Sequence, residues 1–128
     1  NPRYLKRDGK TFCNIFLWDV TRALACEIPH WWGTRELNAN DIALWLAAHG
    51  EDCGWHRIRT ADLAAKKADL GHPTVAAWHN VGGTGHVAVV IPGEGGIVSI
   101  AQAGALNLWD APLEKGFGTA RPIFYSHD

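Results

Sequence analysis

A change in hydrophobic period near residue 72 constrains the fold of this 128-residue chain more than any other feature. Up to that point apolar residues recur at the three- and four-residue spacing of a helix face. From Pro73 onward they form short runs of β-branched and aromatic residues separated by glycine-rich segments. Helices followed by strands are the pattern of an α+β fold. We therefore expect N-terminal helices packed against one face of an antiparallel β-sheet, in a single domain that spans 1–128.

Three helices are predicted, each with a capping residue and one buried face. The first runs from about Thr11, its N-cap, to Cys26, and its apolar face consists of Phe12, Phe16, Val20 and Leu24. The second begins at Asn38 or Asn40 and ends at Gly50, and its buried face consists of Ile42, Trp45, Leu46 and His49. The third is capped by Thr60 and ended by Gly71. We expect residues 30–38, HWWGTRELN, to form a loop over a cleft.

The strands are predicted from runs of β-forming residues between turn signals. They are Trp55 to Ile58 and the stretches 73–80, 86–91, 95–102 and 121–126. The last four have the sequences PTVAAWHN, HVAVVI, GGIVSIAQ and RPIFYS.

Composition excludes several classes of protein. Hydrophobic residues make up 47% of the chain and charged residues 20%, which indicates a globular protein. A net charge of −1 argues against a nucleic-acid or anionic-membrane surface. No apolar run approaches the roughly 20 residues of a membrane span, and the first ten residues have no signal-peptide character. We expect a monomer without nucleic-acid or membrane partners.

The three cysteines form an odd set without a C-x-x-C pair, so at least one thiol is free. A disulfide between Cys26 and Cys53 stays a possibility if the protein is exported.

Cys13 is predicted in the first turn of the first helix, where the helix dipole favours negative charge and lowers the thiol pKa below the roughly 8.5 of free cysteine. That position suits a thiolate nucleophile. The alternative is that Cys13 is a small core residue.

A cysteine nucleophile needs a base, and His86 is the candidate because it opens a strand directly after the flexible segment VGGTG. If residues 92–96 form the hairpin loop, His86 faces Gln102, whose amide oxygen would orient the imidazole. A four-residue loop would place Ala101 there instead. Asn107 is then the next candidate for the orienting residue.

Seven tryptophans are the most unusual feature of the composition. Trp18, Trp45 and Trp78 lie in apolar stretches and are predicted to be core residues. Those near proline or glycine, which more often line a groove, are Trp31, Trp32, Trp55 and Trp109. Sugar and peptide ligands would both suit such a groove. The predicted substrate-binding residues are Trp31, Trp32, Trp78 and Asn107.

The order of these motifs resembles the papain-like CHAP and NlpC-type hydrolases of bacterial cell walls. The matching pieces are TFCNIF with Cys13, GHPTVAAW at 71–78, TGHVAVV with His86, and GGIVSIAQ ending at Gln102. The resemblance implies a papain-like fold and a thiol-dependent amidase or endopeptidase that cleaves peptidoglycan at the bacterial cell wall, with no cofactor and no metal. It assigns the nucleophile to Cys13, the base to His86 and the third residue to Gln102, which is an uncommon choice.

The sequence departs from these relatives upstream of the cysteine. They usually carry a Gln or Tyr there to help hold the oxyanion, whereas this chain offers Tyr4, Asp8 and Thr11. The backbone N–H of Cys13 supplies one donor, and the second is unidentified.

Three other functions stay open. The first is a metal site formed by His72, His79 and His86, although their seven-residue spacing is not that of a usual ligand set. The second is a non-catalytic module that binds glycan or cell wall through its tryptophans. The third is a papain-like toxin, a deamidase or protease acting on proteins, which would share the chemistry and differ in substrate.

Overall fold

An antiparallel β-sheet of six strands organises the fold. The computed structural model describes residues 13–92, 99–102 and 108–127. The described helices are α1 (Cys13–Ala23), α2 (Ala39–His49), α3 (Ala61–Asp69) and α4 (Leu113–Phe117). The strands of the large sheet are β3 (Trp55–Ile58), β4 (Thr74–Trp78), β5 (His86–Ile91), β6 (Ser99–Gln102), β7 (Leu108–Pro112) and β8 (Ile123–His127). Two short strands, β1 (Trp31–Trp32) and β2 (Arg35–Glu36), form a separate hairpin.

The strand order of the large sheet is β3-β8-β4-β5-β6-β7, with antiparallel pairing throughout the described strands. The predicted α+β class and antiparallel sheet are therefore confirmed. Of the predicted strands, β3 and β5 have the expected bounds. The strand β7 and the short helix α4 were not predicted.

The ends of α2 and α3 follow from their capping residues. Asn38 caps α2 by accepting a hydrogen bond from the backbone N–H of Asp41, and the Asp41 carboxylate accepts one from the N–H of Asn38. This reciprocal pair is a capping box. Thr60 caps α3, as predicted, through a single hydrogen bond that its hydroxyl oxygen accepts from the N–H of Leu63. Among the described helices, none has the length and apolar character needed to cross a bilayer.

Helix α1 packs its predicted face only in part, because the buried face is centred on the neighbouring residues Leu17 and Thr21. Leu17 is fully buried, Phe16 and Val20 pack at the edge of the core, and Leu24 is half exposed beyond the helix end. The helix ends at Ala23, and Ala25 in the following turn has a φ of 60°. Leu24, the last residue of the predicted apolar face, lies outside the core because the helix ends one residue before it. Thr11 and Phe12 lie outside the described residues.

Helices cover both faces of the sheet, so the expectation that they pack on one face is wrong. Leu17 of α1 and Ile42 of α2 pack with Val87 and Val89 of β5. Ala64 and Ala68 of α3 and Phe117 of α4 pack with Ala88 and Val90 of the same strand. Successive strand residues point to opposite faces, so these two sets form separate core clusters on either side of one sheet.

The segment predicted as a loop over 30–38 is a β-hairpin. Trp31 pairs with Glu36 and Trp32 with Arg35, and the two strands are joined by Gly33 and Thr34. Gly33 has a φ of 65°, a conformation that glycine adopts at little steric cost and that suits a two-residue hairpin turn.

Candidate active site

Cys13 is the first described residue of α1, and its predicted place in the first turn of that helix stays a prediction because residues 1–12 lie outside the described part. The helix packs chiefly on β5, with further contacts to α2 and β6. The backbone N–H groups of the first helical turn have no acceptor within the helix, and this end of the helix carries its positive partial charge. The side chain of Cys13 lies outside the described part of the structure. Its proximity to His86 therefore stays a prediction.

His86 is the first residue of β5, as predicted, and its ring is half-buried. The imidazole meets the ring of Phe117 edge to face, with ring centroids 4.8 Å apart. This contact places His86 on the face of the sheet that α3 and α4 cover, together with Ala88 and Val90. Helix α1 packs on the opposite face of the same strand.

The predicted pairing of His86 with Gln102 is wrong. Ile91 pairs with Ser99 and Val89 with Ala101, which is a shift of two residues from the expected register. The connection between the paired residues spans 92–98 and is longer than the predicted loop. Extending the observed register places position 102 opposite Ala88. Asn107 and the side chain of Gln102 lie outside the described residues.

The segment between β4 and β5, which leads into His86, is held in place by Asn40. The side-chain amide of Asn40 donates to the carbonyl oxygens of Asn80 at 3.2 Å and Gly83 at 2.8 Å. Its Oδ1 atom accepts from the backbone N–H of Asn80 at 2.8 Å. A Cβ atom on Gly85 would lie 2.6 Å from the carbonyl oxygen of Trp78, too close for a side chain. The segment predicted to be flexible is therefore anchored to the first turn of α2.

Asn40 is a residue whose role the sequence analysis missed. Asn38 and Asn40 are both suitable helix caps, and only one residue can cap α2. The second asparagine was therefore left without a role, and this surplus is the signal that could have identified a tertiary contact.

Cys26 and Cys53 are both free thiols, so the bridge left open between them does not form in this structure. Cys26 is buried, and burial raises the pKa of its thiol because the charged form loses hydration. Cys53 is exposed. Neither of them competes with Cys13 for the predicted role at a helix start, since Cys53 ends a short 3₁₀ turn and Cys26 follows α1.

The predicted substrate-binding tryptophans of the hairpin lie on its two different faces. Trp32 stacks on His49 of α2 with ring centroids 5.1 Å apart and meets Trp45 edge to face at 6.2 Å. Trp31 instead contacts the buried ring of His30, whose Nε2 lies 3.2 Å from Glu36. Both tryptophans are 51% exposed.

Trp32 borders a cleft of about 240 Å³ between the hairpin and α2. Its other principal lining residues are Arg35, Asp41, Leu44, Trp45 and His49. His49 was predicted on the buried face of α2 but is exposed at this cleft. Trp45 is buried as predicted.

Two further tryptophans differ in their surroundings. Trp78, predicted to bind substrate, ends β4 opposite His86 and packs against the core cluster on the α3 side. Trp55, predicted near a groove, is 1% exposed and belongs to the core. Trp55 is buried because β3 pairs with β8 and brings it under His127.

The described residues contain no group of three or more His, Cys, Asp or Glu side chains arranged to hold a metal ion. His72 precedes β4 and His79 follows it, so the strand separates these two members of the alternative metal site.

Comparison with known proteins leaves the family open. No family model matches the sequence, and no curated protein matches it.

Proposed function

We propose that this protein is a thiol-dependent hydrolase that cleaves amide bonds of peptidoglycan, with Cys13 as nucleophile and His86 as base. The observation that carries the proposal is that α1, whose first described residue is Cys13, packs on β5, which begins at His86. A helix start stabilises a thiolate, and a histidine at the start of the neighbouring strand is available to accept and return its proton.

The proposed reaction proceeds in two steps. The Cys13 thiolate attacks the carbonyl carbon and forms a C–S bond, the C–N bond breaks, and the imidazolium of His86 gives its proton to the departing amine. Water then attacks the thioester and loses a proton to the imidazole. The C–S bond breaks and releases the carboxylic acid and the thiolate. The backbone N–H of Cys13 stabilises the oxyanion in both steps.

The proposal places one condition on His86. Its ring must reach the α1 side of β5 during the reaction, whereas in the structure it contacts Phe117. Because the backbone of His86 is paired with Trp78, the ring has to turn about its own side-chain bonds at the end of the strand.

Gln102 remains the proposed orienting residue under the observed register. With position 102 opposite Ala88, residue 86 is its diagonal neighbour on the adjacent strand. Diagonal neighbours have Cα atoms about 7–8 Å apart, a distance that long side chains span.

Replacement of Cys13 tests the proposal directly. We expect purified peptidoglycan treated with the protein to release fragments with new amino groups, identified by mass spectrometry. Cys13→Ala should lower the rate by at least about a thousandfold, as loss of a nucleophile does elsewhere. His86→Gln should cause a comparable loss.

Matched controls separate catalysis from general damage. Cys53→Ser removes an exposed thiol, and His79→Gln removes an exposed histidine just beyond β4. Both variants should keep wild-type rates. Undiminished release by Cys13→Ala, or an equal loss in His79→Gln and His86→Gln, would contradict the proposal.

A further inference from the structure

The cleft between the β1–β2 hairpin and α2 has the features of a ligand site that does not depend on Cys13. We propose that it binds one sugar ring of a neutral glycan strand, with Trp32 as the stacking platform. Naming peptidoglycan glycan as the source of that ring rests on the proposed function. The class of ligand rests on the cleft itself.

The aromatic surface is exposed and fixed in position. Trp32 remains 51% exposed while its indole stacks on His49 and meets Trp45. Leu44, on the same side of α2, is 53% exposed. Flat apolar surface that is held in place by neighbouring rings binds the apolar face of a ring ligand with little loss of side-chain entropy.

The charged groups at the cleft favour a neutral ligand. Arg35 Nη2 lies 2.7 Å from Asp41 Oδ1, so the two charges compensate each other. Asp41 is also fixed by the capping box of α2. A carboxylate of a stem peptide would compete with Asp41 for Arg35. A hydroxyl group, in contrast, donates to the carboxylate and accepts from the guanidinium without disturbing the ion pair.

An unsatisfied donor lies beside the aromatic contact. Trp45 is 94% buried, and its indole N–H has no hydrogen-bond partner among the described residues. Buried donors normally have an acceptor. Trp45 lines the cleft, so we expect an oxygen of the bound sugar to supply one.

The size of the cleft limits the occupant. Its volume of about 240 Å³ is below the range of roughly 300–1,000 Å³ that is typical of sites for drug-sized ligands. It therefore suits one ring of a longer chain, with the neighbouring rings in solvent.

The test is a titration of the full chain carrying Cys13→Ala, which binds without turnover. The probe is a tetramer of β-1,4-linked N-acetylglucosamine, followed through the indole N–H signals in ¹H–¹⁵N NMR spectra and by calorimetry. We expect the indole signals of Trp32 and Trp45 to shift. Trp32→Ala should weaken binding about tenfold, as expected for the loss of one aromatic stacking contact.

Trp31→Ala is the matched control. Trp31 was predicted to bind substrate, but it contacts His30 and does not line this cleft, although it is as exposed as Trp32 on the same hairpin. It should bind the tetramer like the parent protein. Trp32→Phe, which retains a ring, should bind with intermediate affinity and keeps the test valid if Trp32→Ala is poorly folded.

Equal binding by the parent and Trp32→Ala, stronger binding of a stem peptide than of the glycan, or no binding of the glycan would overturn this proposal. None of these results bears on catalysis by Cys13. Conversely, an inactive protein that binds the tetramer through Trp32 would overturn the proposed hydrolase and leave the glycan site standing.

Discussion

Burial changes the acid–base behaviour of two side chains, the thiol of Cys26 and the phenol of Tyr125. Burial raises the pKa of Cys26 and of Tyr125 because each anion would lose its hydration in the core. The positive charge of Arg57 partly offsets this rise in the pKa of Tyr125. Both groups are therefore held in their neutral forms to higher pH in the folded protein than in the unfolded chain.

This difference predicts that the protein loses stability in alkaline solution. Above about pH 9 the unfolded chain binds fewer protons at these two groups than the folded chain does, so the free energy of unfolding falls as the pH rises. Below about pH 9 both groups are neutral in the folded and the unfolded chain, so their contribution to stability is fully present. Urea unfolding at about pH 7 and about pH 10 measures the fall.

Cys26→Ala should reduce this alkaline loss, and Tyr125→Phe should reduce it further. Cys53→Ala is the control for loss of a thiol at an exposed position. A pH slope that is the same in the wild type and in the Cys26→Ala, Tyr125→Phe double variant would show that other groups are responsible.

Sequence spacing identified single residues best where the local chain decides their environment. His86 at a strand start and Thr60 as a helix cap depend on their immediate neighbours, and the structure places both as expected. Trp55 and Trp32 could not be separated in this way. Each lies near a glycine. Trp55 is buried because β3 pairs with β8, which is distant in the chain, whereas Trp32 lies in a hairpin outside the large sheet and stays exposed.

Among the secondary-structure elements, α2 has a second role as the anchor of the segment before β5. Asn38 caps the helix by accepting a hydrogen bond from a backbone N–H of its first turn. Asn40, two positions later, makes three hydrogen bonds to the segment 80–83. The start of β5 is therefore tied to the start of α2.

Loss of this anchor should be measurable at a single amide. We expect Asn40→Ala to lower the free energy of unfolding by about 1 kcal/mol, because the part-buried carbonyl of Asn80 and the exposed carbonyl of Gly83 then exchange a protein donor for water. The backbone N–H of Asn80, whose acceptor is Asn40 Oδ1, should exchange with solvent faster. Hydrogen exchange followed by NMR measures the exchange rate of this amide.

Asn38→Ala is the matched control at the same helix end. It should cost about 1 kcal/mol as a lost N-cap and speed exchange at Asp41 instead of Asn80. If the proposed function is correct, Asn40→Ala also lowers activity more than Asn38→Ala does. If the Asn80 amide exchanges at the same rate in Asn40→Ala as in the wild type, Asn40 does not anchor the segment 80–83.

The elements missed by the sequence analysis were short or lacked a regular pattern. The hairpin at 31–36 has only two residues per strand, too few for an alternating pattern, although the Gly33–Thr34 pair between WW and RE was a turn signal. Helix α4 has five residues and contains Gly116, which weakens any helix prediction. The register error at Gln102 arose because loop length was inferred from glycine positions alone.

At the scale of the whole molecule, one sheet supports two core clusters. Phe124 of β8 belongs to the cluster under α3 and α4, and Tyr125 beside it belongs to the cluster under α1 and α2. The two halves of the core share the same backbone ladder. We therefore expect them to unfold together.

Phe124→Ala tests this coupling. The side chain is 6% exposed, and truncating a buried phenylalanine costs about 3–5 kcal/mol. We expect one cooperative transition at lower urea concentration, with tryptophan fluorescence and far-ultraviolet circular dichroism coinciding. Ile123→Ala, next in the strand and 37% exposed, should cause a smaller shift. Two separate transitions in Phe124→Ala would contradict a shared core.

The two-sided cover of the sheet was predictable in part. In β4 the residues from Thr74 to Ala77 are all buried, and a strand that is apolar on both faces normally has elements packed on both. The small residues Ala64 and Ala68 also suit close approach of α3 to the sheet. The sequence does not specify which helix covers which face of the sheet. That choice depends on the paths that the loops between helices and strands take around the ends of the sheet.

The central position of β8 has a consequence for synthesis of the chain. Strands β3 and β4 each pair with β8 and not with one another. They end 65 and 45 residues before β8 begins, so they leave the ribosome earlier. Until translation reaches residues 123–127, the adjoining edges of β3 and β4 have no partner, and open strand edges are the surfaces on which nascent chains associate wrongly. A chaperone that shields those edges would matter most during this interval.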